Sequence, residues 1–332
     1  MSTIKDVAEK AGVSVATVSA VINKESEVNV SEELTHKVEE AVEKLNYRPN
    51  RIARALSKKK THTIAYITPS ISNLFFSQVA ELIEQLAFDR GYGVYLCNTG
   101  GKEERIKLYI NNLIGSRVDG IITTLTWGIR NYNFIETMKE EKIPIVGLAG
   151  ARITDIIDTV VIDDIKSGEL ATDHLIRNGY TNIGFIGVKR SNTTLKRLKG
   201  YRKKLNKFGI ELNEEYVELG ESFTREEGFI LVEKLLNRCE EIDSVIVYND
   251  VMAAGVIDKL KYLGKKVPEN IAIIGFDDSI AKYTHPKLTT MALPKKRMAE
   301  LAINMLWDRM ENKNFKIKNK MVLPELIKRE TT

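Results

Sequence analysis

Residues 4–23 read IKDVAEKAGVSVATVSAVIN, two short apolar-periodic segments separated by a glycine and each opened by a hydroxyl residue. Thr3 stands just before the first segment and Asp6 three residues later. At that spacing an N-cap hydroxyl and an acid can satisfy the first backbone N–H groups, and the acid suits the positive end of the helix dipole. Gly12 supplies the backbone freedom of a sharp turn, and Ser14 is placed to cap a second helix that runs to Asn23. Ala8, Val13, Val18 and Val21 are spaced so that the two helices share one small core, which fixes a steep crossing. After a polar loop Ser31 opens a third helix whose Leu34, Val38, Ala41, Val42 and Leu45 fall on one face. A small all-α helix-turn-helix headpiece is therefore expected over residues 1–46. Periodicity alone leaves DNA binding and a structural or protein-interaction role equally open.

The run that follows, KLNYRPNRIARALSKKK, carries Lys44, Arg48, Arg51, Arg54, Lys58, Lys59 and Lys60 and no acid. A net charge of +5 over 332 residues says little, but its concentration beside a helix-turn-helix makes polyanion contact plausible. An isolated basic run would be read as a solvated linker. The chain is longer than one core usually serves, so more than one unit is expected. Hydrophobic residues at 43% and charged residues at 29% are ordinary for a globular protein and argue against a membrane class. The first residues, MSTIKDVAEKAG, lack the apolar h-region of a secretory signal. Cys97 and Cys239 lie far apart in apolar surroundings, as reduced buried thiols do. A cytoplasmic protein is expected.

The combination of DVA, AGVS, TVS and VIN with NYRPNRIARAL resembles the headpiece and hinge of the LacI/GalR family of bacterial transcription regulators, and the resemblance continues along the chain. It implies that the second helix enters the major groove, with Val15 and Ala16 facing base edges. Both are apolar, suited to thymine methyl groups and not to bidentate hydrogen bonds. Ser14, Thr17, Ser19 and Asn23 match positions near the DNA backbone, where hydroxyls and amides fix register. Ala20 departs from the family, which commonly has an arginine there, so the operator is expected to differ. The resemblance further implies a hinge, residues 47–60, that becomes helical on DNA and wedges Leu56 into the minor groove, supported by Asn50, Ala53 and Arg54. Leu56 is also compatible with packing against the next domain.

Beyond Thr61 apolar runs such as HTIAYITP, NIGFIGV, SVIVYND and NIAIIGFDD alternate with amphipathic stretches such as FFSQVAELIEQLAFDR and IKSGELATDHLIRNG. This is the pattern of parallel sheets with helical crossovers. About nine strands exceed one compact half, so residues 61–332 are expected to form two lobes joined by several crossings, with a ligand held at strand C-termini between them. The resemblance implies the same α/β bilobed, periplasmic-binding-protein-like domain. Its N-subdomain is expected over about 61–160 and 291–320, its C-subdomain over about 161–290 and 321–332. An enzyme is not expected. GYG is followed by no third glycine of a dinucleotide fingerprint, and there is no P-loop and no GxSxG elbow. His36, His62, His174 and His285 lack metal-ligand spacing. Neither cofactor nor metal is expected.

The resemblance places effector contacts at Ser72, Asn73 and Phe75 in SISNLFFSQV, where one of Phe75 and Phe76 is expected in the core and the other in the cleft. It places them also at Arg197 in KRLKGY, whose guanidinium forks to hydroxyls or a carboxylate. Asn249 and Asp250 end the apolar strand SVIVYND and Asp277 ends NIAIIGFDD, which sets all three at strand C-termini facing the cleft; capping the next helix is the competing role for the aspartates, and the resemblance favours ligand contact for Asn249 and Asp277. Phe223 supplies an apolar wall, and Asp163 is expected at a crossover, with Asp164 as the neighbouring helix cap. Lys189, Arg190, Lys196 and Arg197 gather at one corner, which leaves a sugar phosphate or another anion open beside a plain sugar. The run Leu148 to Ala151 is uncharged where some relatives carry a sugar-binding aspartate. The expectation as a whole is a homodimeric repressor, controlled by a small effector and bound to a near-palindromic operator, without the leucine heptads of a tetramerising bundle. A sugar receptor without operator control is the alternative.

Overall fold

The computed structural model describes residues 2–23, 30–48, 60–124, 134–149, 156–311 and 316–332. They fall into two compact units, one ending at Thr61 and one running from His62 to Thr332.

The first unit is built from α1 (Ile4–Ala11), α2 (Val15–Asn23) and α3 (Glu32–Lys44). Thr3 N donates to Asp6 Oδ2 at 2.7 Å while Asp6 N donates to Thr3 Oγ1 at 3.4 Å, closing the capping box. Gly12 takes the left-handed conformation, φ 68°, which a side chain would disfavour. Thr17 N donates to Ser14 Oγ at 3.1 Å, and Leu34 N to Ser31 Oγ at 3.4 Å, so both serines cap as their spacing predicts. Val7, Val18 and Val38 are fully buried with Ala8 and Ala41 between them, and Val13, Val21, Val42 and Leu45 pack around the edge. Tyr47, the first residue assigned to the hinge, also packs on this core. So small a bundle buries little apolar surface, which makes each cap, worth about 1 kcal/mol, a sizeable part of its stability.

In the second unit, β1 (Thr63–Thr68), α4 (Leu74–Phe88), β2 (Gly93–Asn98), α5 (Glu103–Gly115), β3 (Gly120–Thr123), α6 (Phe134–Glu140), β4 (Ile145–Leu148) and β5 (Asp158–Ile162) begin a first lobe. A second lobe contains α7 (Asp164–Arg177), β6 (Ile183–Val188), α8 (Asn192–Lys207), β7 (Val217–Gly220), α9 (Arg225–Arg238), β8 (Ser244–Val247), α10 (Asp250–Tyr262), β9 (Ala272–Asp277) and β10 (Thr289–Ala292). The chain returns to the first lobe with α11 (Lys295–Glu311) and β11 (Asn319–Val322), and ends in the second with β12 (Glu325–Ile327).

Among the described residues each lobe holds one six-stranded sheet, ordered β11-β5-β4-β3-β1-β2 and β12-β10-β9-β8-β6-β7. Pairing is parallel except at the edge, where β12 runs antiparallel to β10. Strands such as TIAYIT and IGFIGV are buried almost throughout because helices cover both faces. The alternation is visible in β1. Ile64 and Tyr66 pack with Val79 and Ile83 of α4 and with Ala302 and Leu306 of α11, whereas Ala65 and Ile67 pack with Ile106 and Ile110 of α5. The short strand β10, TTMA, was not among the expected strands. The C-terminal ends of β1, β6, β8 and β9 lead into the residues of one cavity between the lobes.

Candidate functional site

At the start of α2, Ser14, Val15 and Ala16 are exposed, Val15 by 41%, while Thr17 and Ser19 are half-buried. An exposed valine followed by an exposed alanine at a helix start presents methyl groups and no side-chain donor. Ser14 Oγ also lies 2.9 Å from Thr17 Oγ1, so both hydroxyls are engaged at the helix N-terminus. Asn23 is the last residue of α2. Ala20 is buried, at 5% exposure, so the position where the family has arginine offers no side chain to DNA. Asn50, Ala53, Arg54 and Leu56 lie outside the described residues, as do Gly150 and Ala151 of the uncharged run.

The cavity measures about 490 Å³, within the range of small-molecule sites. From the first lobe come Asn73, Phe75, Phe76, Ile106, Thr124 and Ala149. Asn73 caps α4, its Oδ1 accepting from Phe75 N at 2.9 Å, which fixes the corner carrying both rings. Both phenylalanines line the cavity. Phe75 is buried and meets Phe76 edge-on with centroids 5.2 Å apart, so the expected division into one core ring and one cleft ring is a division of degree only. Ser72 falls outside the lining. It is exposed in the turn before α4, its N–H donating to Ser70 Oγ at 3.2 Å.

From the second lobe come Asp164, Arg197, Phe223, Tyr248, Asn249 and Asp277. Arg197 is 5% exposed. Its Nε donates to Asp164 Oδ1 at 2.9 Å and its Nη1 to the Tyr248 carbonyl at 2.7 Å, and the guanidinium lies 3.9 Å from the centroid of Phe276. Gly168 makes this possible. A Cβ there would collide with the Arg197 carbonyl oxygen, so only glycine lets α7 and α8 approach closely enough to join Asp164 to Arg197. Burial pushes the Asp164 carboxyl above the usual range, opposed by the Arg197 charge.

The two neighbouring acids exchange their expected roles. Asp163 is the N-cap of α7, its Oδ1 accepting from Lys166 N at 2.9 Å, whereas Asp164, the first residue of the helix, turns inward to the cavity. Asn249 caps α10 through Met252 N at 2.8 Å and still lines the cavity, its Nδ2 donating to the Phe223 carbonyl at 3.4 Å. Capping and cavity lining are thus one position's two jobs. Asp277 takes φ 91°, a conformation held against strain. Lys295 Nζ donates to the Asp277 and Asp278 carbonyls at 2.6 and 3.1 Å. At the basic corner Lys189 and Arg190 line the cavity, and Lys189 is paired with Glu221 at 2.8 Å; Lys196 is not among the lining residues.

Among the charged lining side chains Arg197 is joined to Asp164 and Lys189 to Glu221, and Ser191 Oγ lies 3.3 Å from the Tyr248 hydroxyl. Among the described residues no group of three or more His, Cys, Asp and Glu is gathered as a metal site, and no helix is long and apolar enough to cross a membrane. Cys97 and Cys239 are free and buried, the Cys97 thiol being pushed up by burial to about 11.

The model for bacterial regulatory proteins of the lacI family matches residues 3–50, and that for the periplasmic binding protein-like domain matches residues 172–332. The HTH-type transcriptional repressor PurR of Vibrio vulnificus (strain CMCP6) is 36% identical over 336 residues, covering 100% of this chain and 98% of the relative. The chain belongs to the lacI family. As a member it is a DNA-binding transcriptional regulator. The ribose operon repressor of Escherichia coli (strain K12) is also 36% identical, over 99% of both chains. A lac repressor dimer bound to operator and the anti-inducer ONPF superposes with a TM-score of 0.87 at 27% identity, covering 99% of this chain and 98% of that one. A lacI-family regulator from Enterococcus faecium with bound ribose superposes with a TM-score of 0.73 at 27% identity, covering 81% and 98%.

Tyr248, Thr124 and Ser191 are lining residues that the sequence reading did not single out, and Asp164 was read there only as a helix cap. A signal for Asp164 existed. Asp164 lies four residues before Gly168 and Arg197 three before Gly200, and a glycine inside a helix marks a close crossing. Tyr248 precedes Asn249 and shares its strand end.

Proposed function

We propose that this regulator is a repressor that occupies a near-palindromic operator as a homodimer, and that a small neutral sugar held in the cavity sets its affinity for DNA. The observation that carries the ligand class is the charge balance of the lining. Lys189, Arg190 and Arg197 are matched by Asp164, Glu221 and Asp277, with Arg197 joined to Asp164 and Lys189 to Glu221. A phosphate group calls for surplus positive charge, whereas a hydroxylated ring suits fixed donors and acceptors beside aromatic faces. Two names support the same class: one relative is a ribose operon repressor, and one neighbouring structure holds ribose.

In this reading Asn73, Phe75, Phe223, Asn249, Asp277, Arg197 and Asp164 touch the sugar. Val15 and Ala16 read base edges through methyl contacts, and Ser14, Thr17, Ser19 and Asn23 fix register on the backbone. Leu56, with Asn50, Ala53 and Arg54, supplies the minor-groove wedge. Two-fold symmetry of the dimer demands matching symmetry in the operator. Since the walls belong to different lobes, a ligand that touches both favours one lobe angle. It alters DNA affinity only to the extent that it binds the two angles unequally.

The test is a selection from random duplex oligonucleotides with the full chain, followed by titration of the enriched sequence in the presence of D-ribose, cellobiose and D-ribose 5-phosphate. One near-palindromic sequence is expected, with its Kd changed by one of the unphosphorylated sugars. Enrichment of no sequence would sink the operator reading and leave a receptor. A response confined to the phosphate ester would sink the neutral-sugar reading.

A further inference from the structure

Behind the cavity, at the start of α10, Asp250 is completely buried and is not itself a lining residue. Its Oδ1 accepts from Thr290 Oγ1 at 2.6 Å, and its Oδ2 accepts from Ser279 N at 2.8 Å. That same N–H also donates to Asp277 Oδ1 at 3.1 Å. A single backbone hydrogen thus lies between two buried carboxylates, one facing the cavity and one behind it. The Ser279 hydroxyl beside them is buried without a hydrogen-bond partner.

Lys295 and Arg197 favour the Asp277 charge from a distance, but neither is bonded to either carboxylate. Lys295, from α11, gives its ammonium to the Asp277 and Asp278 carbonyls. Arg197, from α8, is joined to Asp164 of α7, and Arg329 is joined to Asp278 at 2.7 Å. Tyr248, at the end of β8, is a neutral phenol whose acidity burial weakens. Two carboxylates this close and this far from water cannot both be ionised.

We infer that Asp250 is a positioning residue that carries the pair's proton and donates it in a hydrogen bond to Asp277, holding the Asp277 carboxylate charged toward the cavity. Burial and the Asp277 charge both act to keep the proton on Asp250. Asp277 then meets the ligand as an acceptor already oriented from behind, without a cation bonded to it that would compete with ligand hydroxyls. This role rests on the reading of the cavity as the effector site, but the proton can be sought in the ligand-free chain.

A carboxyl that holds its proton more tightly in the folded than in the unfolded chain adds stability that is complete below its unfolded pKa and is lost as pH rises through the folded value. Asparagine at position 250 keeps a donor that never ionises. In thermal unfolding of the full chain from about pH 5 to about pH 9, the Tm of Asp250→Asn relative to wild type should therefore rise with pH. A difference independent of pH overturns the inference. Infrared spectra of the wild type supply a measurement that needs no variant. A protonated-carboxyl stretching band is expected at neutral pH and its absence overturns the inference, as does its survival undiminished in a folded Asp250→Asn. Failure of D-ribose to bind at any pH would count against the cavity's assignment, and neither of the other two readouts would change.

Discussion

Across the cavity the first lobe presents Phe75, Phe76, Ile106 and Ala149, while the second presents Arg197, Asp164, Asn249 and Asp277. The first wall is an extension of a hydrophobic core. Phe75 belongs to the cluster that joins β1, α4 and α11, and the asparagine beneath it serves the backbone. The second wall is a network in which charged side chains already have protein partners at hydrogen-bond distance. One wall therefore gives a ligand area and shape, the other a fixed set of directions. Substitutions on the two walls should differ in kind, and the difference can be tested from the strongest contact downward.

Arg197→Ala is the most severe test. It leaves Asp164 buried without its guanidinium, and breaking a buried pair by removing one partner costs about 3–5 kcal/mol. Urea unfolding followed by circular dichroism should show a loss of that size, together with loss of any effect of D-ribose on operator binding. Arg197→Lys should recover little, because an ammonium cannot reach Asp164 Oδ1 and the Tyr248 carbonyl in the same fork. A loss below about 1 kcal/mol would mean that the second wall is no more interlocked than a surface.

A subtler comparison uses two asparagines with the same local task. Asn73 and Asn249 both cap helices, both are buried and both line the cavity, one on each wall. Asn73→Ala and Asn249→Ala should each lower stability by about 1 kcal/mol, the worth of a cap. Asn249→Ala should weaken D-ribose binding by calorimetry more than Asn73→Ala does, since its amide also donates to the Phe223 carbonyl of the polar wall. Equal weakening by both would erase the contrast between the walls.

Much of this was legible in the sequence because the signals were local. Thr3, Asp6, Gly12, Ser14 and Ser31 act within one turn of themselves, and each does in the structure what its spacing predicts. The buried parallel strands announce themselves as unbroken apolar runs. What was missed depends on partners distant in sequence. TTMA reads poorly as a core strand, being half threonine, yet Thr290 is satisfied by Asp250 and Thr289 N by Thr331 Oγ1, and both threonines are fully buried. The exchange between Asp163 and Asp164 has the same origin. Which of two adjacent acids caps the helix is decided by where the backbone enters it, and that follows from the docking of Gly168 on Arg197. Ser72, one residue from Asn73, shares its chemistry but stands outside the turn that faces the cavity.

The smallest expected effect is the one that separates the ligand classes. Lys189 lines the cavity, but its ion pair with Glu221 is open to solvent, with side-chain exposures of 52% and 71%. The partnership raises the lysine's proton affinity through its hydrogen bond to Glu221 and lowers that of the acid. Such exposed pairs commonly contribute nothing measurable to stability, so Lys189→Ala should leave Tm unchanged in differential scanning fluorimetry. For a neutral sugar the Kd should also move by no more than about twofold, because a solvated cation already matched by a carboxylate adds little to a hydroxyl contact. For an anionic ligand the same substitution would take the lining from balanced charge to a net negative one, with Arg190 left as the corner's cation beside Glu221, and binding would fall and regain strength in high salt. A salt-sensitive loss in Lys189→Ala would therefore move the ligand's recognition from the Arg197 network to the basic corner.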